Sequence, residues 1–136
     1  MEIIVSQENG KIPVGVIRVK GDLDASSYLD LVNTAQQLYD EGTRYLVLDL
    51  TDLSFISSAG LASLHMVAKL FRGERSDSKP GWADYKDINR EHDSSMQKSI
   101  KLLNPSSDVN KVLDTVGFKQ LFEVYMNLEE AIKSFQ

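Results

Sequence analysis

The chain contains no cysteine. A disulfide framework and a thiolate metal site are therefore excluded, and a reducing, cytoplasmic setting is the expected compartment. No run of about 18 apolar residues occurs, so no helical membrane span is expected. The first residues, Met1-Glu2-Ile3-Ile4-Val5-Ser6-Gln7-Glu8, are acidic and lack the character of a signal peptide. Basic residues are in deficit, with 15 Lys and Arg against 20 Asp and Glu, giving a net charge of −5. Nucleic acid and anionic membranes reward basic patches, so neither is expected as a direct partner. Histidine is scarce, with two residues in total. His65 has no histidine, cysteine or carboxylate three or four positions away, which argues against a metal site. There is no Gly-rich P-loop, no Ser-His-Asp pattern and no histidine–carboxylate cluster. The expectation is a binding module, not an enzyme, with no cofactor and no metal.

What is present suits one domain spanning residues 1–136, with 42% hydrophobic residues to build a core. The organising stretch is Asp49-Leu50-Thr51-Asp52-Leu53-Ser54-Phe55-Ile56-Ser57-Ser58-Ala59-Gly60-Leu61. Before it, Tyr45-Leu46-Val47-Leu48 reads as a strand buried on both faces. After it, Leu61 to Phe71 has a helical pattern that is apolar nearly all round. A buried strand thus leads through a polar turn into a helix whose first turn carries Ser57 and Ser58. A helix start offers unpaired N–H groups and partial positive charge, so a hydroxyl there serves as a cap or sits where a phosphate is welcome.

The flanking chain reads in order. Residues 2–6 and 14–20 are expected to form a hairpin across the Asn9-Gly10 turn signal. Gly21-Asp22-Leu23-Asp24 then breaks the second strand. Asp24, Ser26 and Ser27 are candidate caps for a helix reaching about Asp40, with Tyr28, Leu31, Val32, Ala35, Leu38 and Tyr39 on one face. Asp22 and Asp24 are also a conceivable metal or acid–base pair, although turns and caps use Asp far more often. Further on, Ser99–Leu103 is a strand and Val109, Val112, Leu113 and Val116 mark a helix ended by Gly117. Leu121–Tyr125 is a short strand, and Asn127 caps a last helix bearing Leu128, Ala131, Ile132 and Phe135. Residues 72–98 differ in kind. Arg72, Arg75, Lys79, Lys86, Arg90 and Lys98 are offset by Glu74, Asp77, Asp84, Asp87, Glu91 and Asp93. Pro80-Gly81 adds loop character. This is expected to be an inserted, solvated excursion, with a short amphipathic helix through Trp82, Tyr85, Ile88 and His92 as the alternative.

The central stretch resembles the signature of STAS domains, and more narrowly that of bacterial anti-sigma factor antagonists. Gly21-Asp22-Leu23-Asp24 and the run from Leu103-Asn104-Pro105-Ser106 through Val116-Gly117-Phe118 to Leu128-Glu129-Glu130-Ala131 are also similar to that family. The resemblance covers about residues 3–71 and 98–135. It implies an α/β fold with a mixed central β-sheet of about four to five strands and about four helices, largely on one side. Aligning the family's Gly-Leu on Gly60-Leu61 places its phosphoacceptor serine on Ser58, with Ser57 as the alternative. The family's well-studied members carry Asp before that serine, where this chain has Ser57. The resemblance further implies a partner surface of Asp22, Asp24, Ser57, Ser58, Ala59, Gly60 and Leu61. The implied partners are an anti-sigma factor/serine protein kinase and a PP2C-type phosphatase. The implied function is partner switching, in which the unphosphorylated chain binds the kinase and phosphorylation at Ser58 releases it. The alternative is an unphosphorylated STAS scaffold or ligand-sensing module in another signalling complex.

Overall fold

The computed structural model describes residues 1–9, 11–72 and 97–135. In chain order these form β1 (Glu2–Asn9), β2 (Pro13–Leu23), α1 (Tyr28–Asp40), β3 (Leu46–Asp49), β4 (Leu53–Ile56) and α2 (Ser58–Phe71). Then come β5 (Ile100–Leu103), α3 (Ser107–Thr115), a 3-10 turn (Phe118–Gln120), β6 (Glu123–Tyr125) and α4 (Leu128–Lys133). The strands form one sheet in the order β1-β2-β3-β5-β6, with β4 paired to β2 off this path. β1 and β2 are an antiparallel hairpin, and every other pairing is parallel. The parallel strands therefore end along one edge of the sheet, where doubly covered α/β folds place their binding residues.

Strand alternation sorts the apolar residues onto two faces. Ile17 and Val19 of β2, Leu46 and Leu48 of β3, and Ile100 and Leu102 of β5 face the larger core. That core takes Leu31, Ala35 and Leu38 from α1, Leu61, Leu64, Val67, Ala68 and Phe71 from α2, and Val109 and Leu113 from α3. Val14, Val16, Val47 and Leu103 face the other way, onto Ala131, Leu128 and Ile132 of α4. Three helices cover one face and one covers the other, as the resemblance implied. Leu46, Val47 and Leu48 of β3 and all four residues of β5, Lys101 included, are buried because both faces of these strands are covered.

The short helix α4 roofs one buried cation. Lys101 lies on its face of the sheet, donates to the Glu123 carboxylate and faces the Phe135 ring, 5.5 Å from its centroid. The lysine ammonium holds the Glu123 carboxyl below its ordinary range, helped by a 3.1 Å hydrogen bond from the Tyr125 hydroxyl.

The structure departs from the sequence-based expectation in two places that shape the site. Gly21 does not end β2. At φ +97° it adopts a conformation open chiefly to glycine, and the strand carries on through a register shift to Asp22 and Leu23. Leu53–Ile56 is not part of a turn but a sixth strand, so the sheet has one strand more than expected. The hairpin, the helices and the strands at β3 and β5 fall where they were expected, to within a few residues. The last expected strand, Leu121–Tyr125, is shorter than anticipated, since only Glu123–Tyr125 pairs. The expected insertion at 72–98 lies outside the described residues, apart from Arg72, Gln97 and Lys98.

Candidate functional site

The site is built where β2 outlasts its pairing with β1. Past Lys20, β2 pairs instead with β4, setting Asp22 opposite Phe55 and Leu23 opposite Ile56. The loop carrying Asp22 and Asp24 is thereby held beside the turn that enters α2. Two contacts on one carbonyl close the arrangement. The Leu23 carbonyl accepts the Ser57 N–H at 3.0 Å. It also lies 2.4 Å from the point where a Cβ on Gly60 would stand, with Ile56 Cγ1 at 2.7 Å. Only glycine permits this close approach of helix to strand.

Ser57 and Ser58, adjacent in the sequence, hold different positions. Ser57 is the N-cap of α2, extended at φ −96° and ψ 179°, and its hydroxyl accepts the Gly60 N–H at 3.2 Å. Its carbonyl takes the Leu61 N–H at 2.9 Å. Ser58 is the first helical residue and is exposed, and its hydroxyl has no hydrogen-bond partner among the described residues. One serine is thus occupied in closing the helix, and the other is presented to solvent at the positive end of the helix dipole.

Asp22 and Asp24 also separate. The Asp22 side chain is exposed, while its carbonyl accepts the hydroxyl of the buried Ser27 at 2.9 Å. Asp24 turns inward on its own loop. Its Oδ1 accepts the Ser26 hydroxyl at 2.7 Å and the Ser26 N–H at 2.9 Å, and Ser27 Oγ accepts the Asp24 N–H at 3.0 Å. The side-chain bond from Ser26, then the backbone bond, hold the Asp24 carboxyl below the ordinary aspartate range. A carboxyl more acidic folded than unfolded adds stability in full above its unfolded pKa, and the gain is lost as pH falls through the folded one. An NMR titration is expected to place Asp24 below the ordinary aspartate value, and Ser26→Ala to move it back up. Among the described residues no group of three His, Asp or Glu side chains stands close enough to hold a metal ion.

Of the remaining expected site residues, Ala59 is half-buried while Gly60 and Leu61 are buried. Gly60 and Leu61 therefore shape the surface from beneath. Sequence reasoning did not single out two residues that the fold leaves exposed nearby along the chain. Phe55, two positions ahead of Ser57, is 53% exposed, and Leu29, at the start of α1, is 50% exposed. Their signal is weak in sequence, since an apolar residue in a strand or helix ordinarily reads as core. The same strand edge is braced by Arg18, 3.1 Å from Asp52 and 3.6 Å from Asp49, and by Asn104, whose amide donates to the Thr51 hydroxyl at 3.2 Å.

A family model described as "Mlab, STAS domain" matches residues 8–77, just over half of the chain, and the protein belongs to the STAS-domain family. Its fold is similar to that of an anti-sigma factor antagonist from Mycobacterium paratuberculosis, at 18% identity and a TM-score of 0.64, covering 98% of this chain and 94% of that one. It is similar also to the Bacillus cell fate determinant SpoIIAA in its phosphorylated form, at 19% identity and a TM-score of 0.54, covering 98% of this chain and 100% of that one. A third likeness is to the murine anion transporter Slc26a9, at 15% identity and a TM-score of 0.56. There 88% of this chain matches only 17% of the transporter. No curated protein matches by sequence. One fold thus serves as a small regulator and as part of a transporter, so the choice of function rests on the site. Among the described residues, no helix is long and apolar enough to cross a membrane.

Proposed function

We propose that the chain is an anti-sigma factor antagonist in a partner-switching pathway, a single STAS unit carrying the charged insertion at 72–98. In its unphosphorylated state it binds an anti-sigma factor/serine protein kinase in the cytoplasm, and phosphorylation of Ser58 releases it. A PP2C-type phosphatase resets the switch. The observation that carries the proposal is the division of labour between the two serines. Ser57 is committed as the cap, so the helix start is closed without Ser58, whose hydroxyl is free and exposed beside the Asp22 loop. The docking surface comprises Asp22, Ser57, Ser58 and Ala59, with the exposed ring of Phe55 as an apolar anchor. Asp24 holds the loop through its bonds to Ser26 and Ser27, and Gly60 and Leu61 set the height of the helix.

The test is phosphosite mapping by fragmentation after incubation with the cognate kinase and ATP. One phosphate on Ser58, absent from Ser58→Ala, is the expected result. Phosphate on Ser57 would move the site by one residue and require the cap to open. An unmodified chain that nonetheless binds its partner would favour the second reading, an unphosphorylated scaffold or ligand-sensing module. That reading is favoured by Ser57 standing where the family's well-studied members carry an aspartate.

A further inference from the structure

β1 forms one margin of the sheet. Its inner edge pairs with β2 in unbroken register from Glu2 opposite Lys20 to Asn9 opposite Pro13, and among the described residues no strand pairs with its outer edge. Exposed edges are usually blunted by lysine, proline, a bulge or short length. β1 is eight residues long, and its centre, Ile3-Ile4-Val5-Ser6, carries none of these devices. Ile4 is 41% exposed and Val5 44% exposed, on opposite faces of the sheet.

We propose that the outer edge of β1 pairs antiparallel with β1 of a second copy of this chain, about a two-fold axis through Ile4. Side-chain chemistry selects this occupant and this register. A two-fold axis perpendicular to a sheet keeps each side chain on its own face, so directly opposed positions must share parity. Centred on Ile4, the strand sets Ile4 against Ile4, Ile3 against Val5 and Glu2 against Ser6. Apolar residues meet apolar ones on both faces, and each carboxylate meets a hydroxyl. Centred on Val5, it would oppose Glu2 to Glu8, a like-charge pair, and Ile3 to Gln7. Of these two central registers, only the one on Ile4 is self-complementary. The contact is small and each copy carries a net charge of −5, so the dimer is weak and concentration-dependent, and added salt strengthens it by screening the mutual repulsion. This inference is independent of the phosphorylation at Ser58.

The test uses the full chain, whose lack of cysteine makes any introduced thiol unique. Sedimentation velocity across a dilution series is expected to show a monomer–dimer equilibrium that shifts to dimer with salt and is abolished in Ile4→Lys. Under mild oxidation, Ile4→Cys is expected to form a disulfide-linked dimer several-fold faster than Val5→Cys, because directly opposed Cβ atoms approach to about 5 Å while diagonal ones lie about 7–8 Å apart. Both sites are half-exposed, and circular dichroism checks that the variants fold. A wild-type chain that stays monomeric up to millimolar concentration would overturn the proposal, as would a dimer that survives Ile4→Lys or a Val5→Cys link that forms first.

Discussion

Gly60→Ala is expected to destabilise the protein by about 3 kcal/mol, the upper part of the range for overpacking, and to lower its melting temperature on the order of 10 °C. The sign is the informative part. In an ordinary helical position the exchange of glycine for alanine gains roughly 1 kcal/mol. Here the added methyl would stand 2.4 Å from the Leu23 carbonyl oxygen and 2.7 Å from Ile56 Cγ1. The first of these is backbone, held by its own bond from the Ser57 N–H and by the pairing of β2 with β4. It cannot swing aside as a flexible side chain would, so α2 must lift from the strand. Gly117→Ala is the control. Gly117 has φ +81° and open space around its missing Cβ, so alanine there meets backbone strain alone, costing about 1 kcal/mol. Thermal unfolding of both variants should rank Gly60→Ala as clearly the worse. A Gly60→Ala protein as stable as Gly117→Ala would mean that α2 shifts freely, and the height of Ser58 above the Asp22 loop would lose its structural basis.

The legibility of the sequence follows the same physics. β3 was readable because Tyr45-Leu46-Val47-Leu48, four apolar residues in a row ahead of a polar turn, has few alternatives to a doubly covered strand, and β5 from Ile100, Leu102 and Leu103 ahead of the stop at Asn104-Pro105. α3 was readable from Val109, Val112 and Leu113 at helical spacing, with Ser106 accepting the Val109 N–H at 3.3 Å as its cap. β4 was not readable. Leu53-Ser54-Phe55-Ile56 buries its two ends and exposes its middle, so it shows neither alternation nor a continuous apolar run. Its strand state comes from pairing with residues about thirty positions earlier, where Gly21 lets β2 turn toward it, and no local propensity reports that. The candidate site rests on the resemblance at Ser57-Ser58-Ala59-Gly60-Leu61, and the helix start that carries it was legible there. The division of roles between the two serines was not. It depends on which hydroxyl faces the Gly60 amide, and it is Ser57, in extended backbone one residue past β4, that does so. The exposure of Phe55 was hidden for a related reason, because burial of a strand residue is decided by what covers its face.

Phosphate on Ser58, or Ser58→Asp as its mimic, is expected to weaken binding to the cognate anti-sigma kinase at least 100-fold, about 2.7 kcal/mol, while leaving the fold intact. The two halves of this expectation have separate causes. At the first position of α2 added negative charge meets the positive end of the helix dipole, worth roughly 0.3–1 kcal/mol in favour of the folded state. The melting temperature should therefore hold or rise slightly. At the proposed partner interface, phosphate adds about −1.5 to −2 charges one residue beyond Ser57, whose N–H is bonded to the Leu23 carbonyl of the Asp22 loop, and docking must desolvate or oppose that charge. Like-charge juxtaposition across an interface costs several kcal/mol by itself. Three variants measured by calorimetry against the kinase separate this mechanism from loss of folding. Ser58→Ala should bind within a few-fold of wild type, since its hydroxyl has no partner to lose among the described residues. Ser57→Ala should lose about 1 kcal/mol of stability with the cap, yet keep most of its affinity. Ser58→Asp alone should lose affinity without losing stability, and higher salt should restore part of the loss if the carboxylate acts by repulsion. Equal affinity of Ser58→Asp and Ser58→Ala would defeat the switch, because the site would then be indifferent to the charge that phosphorylation adds.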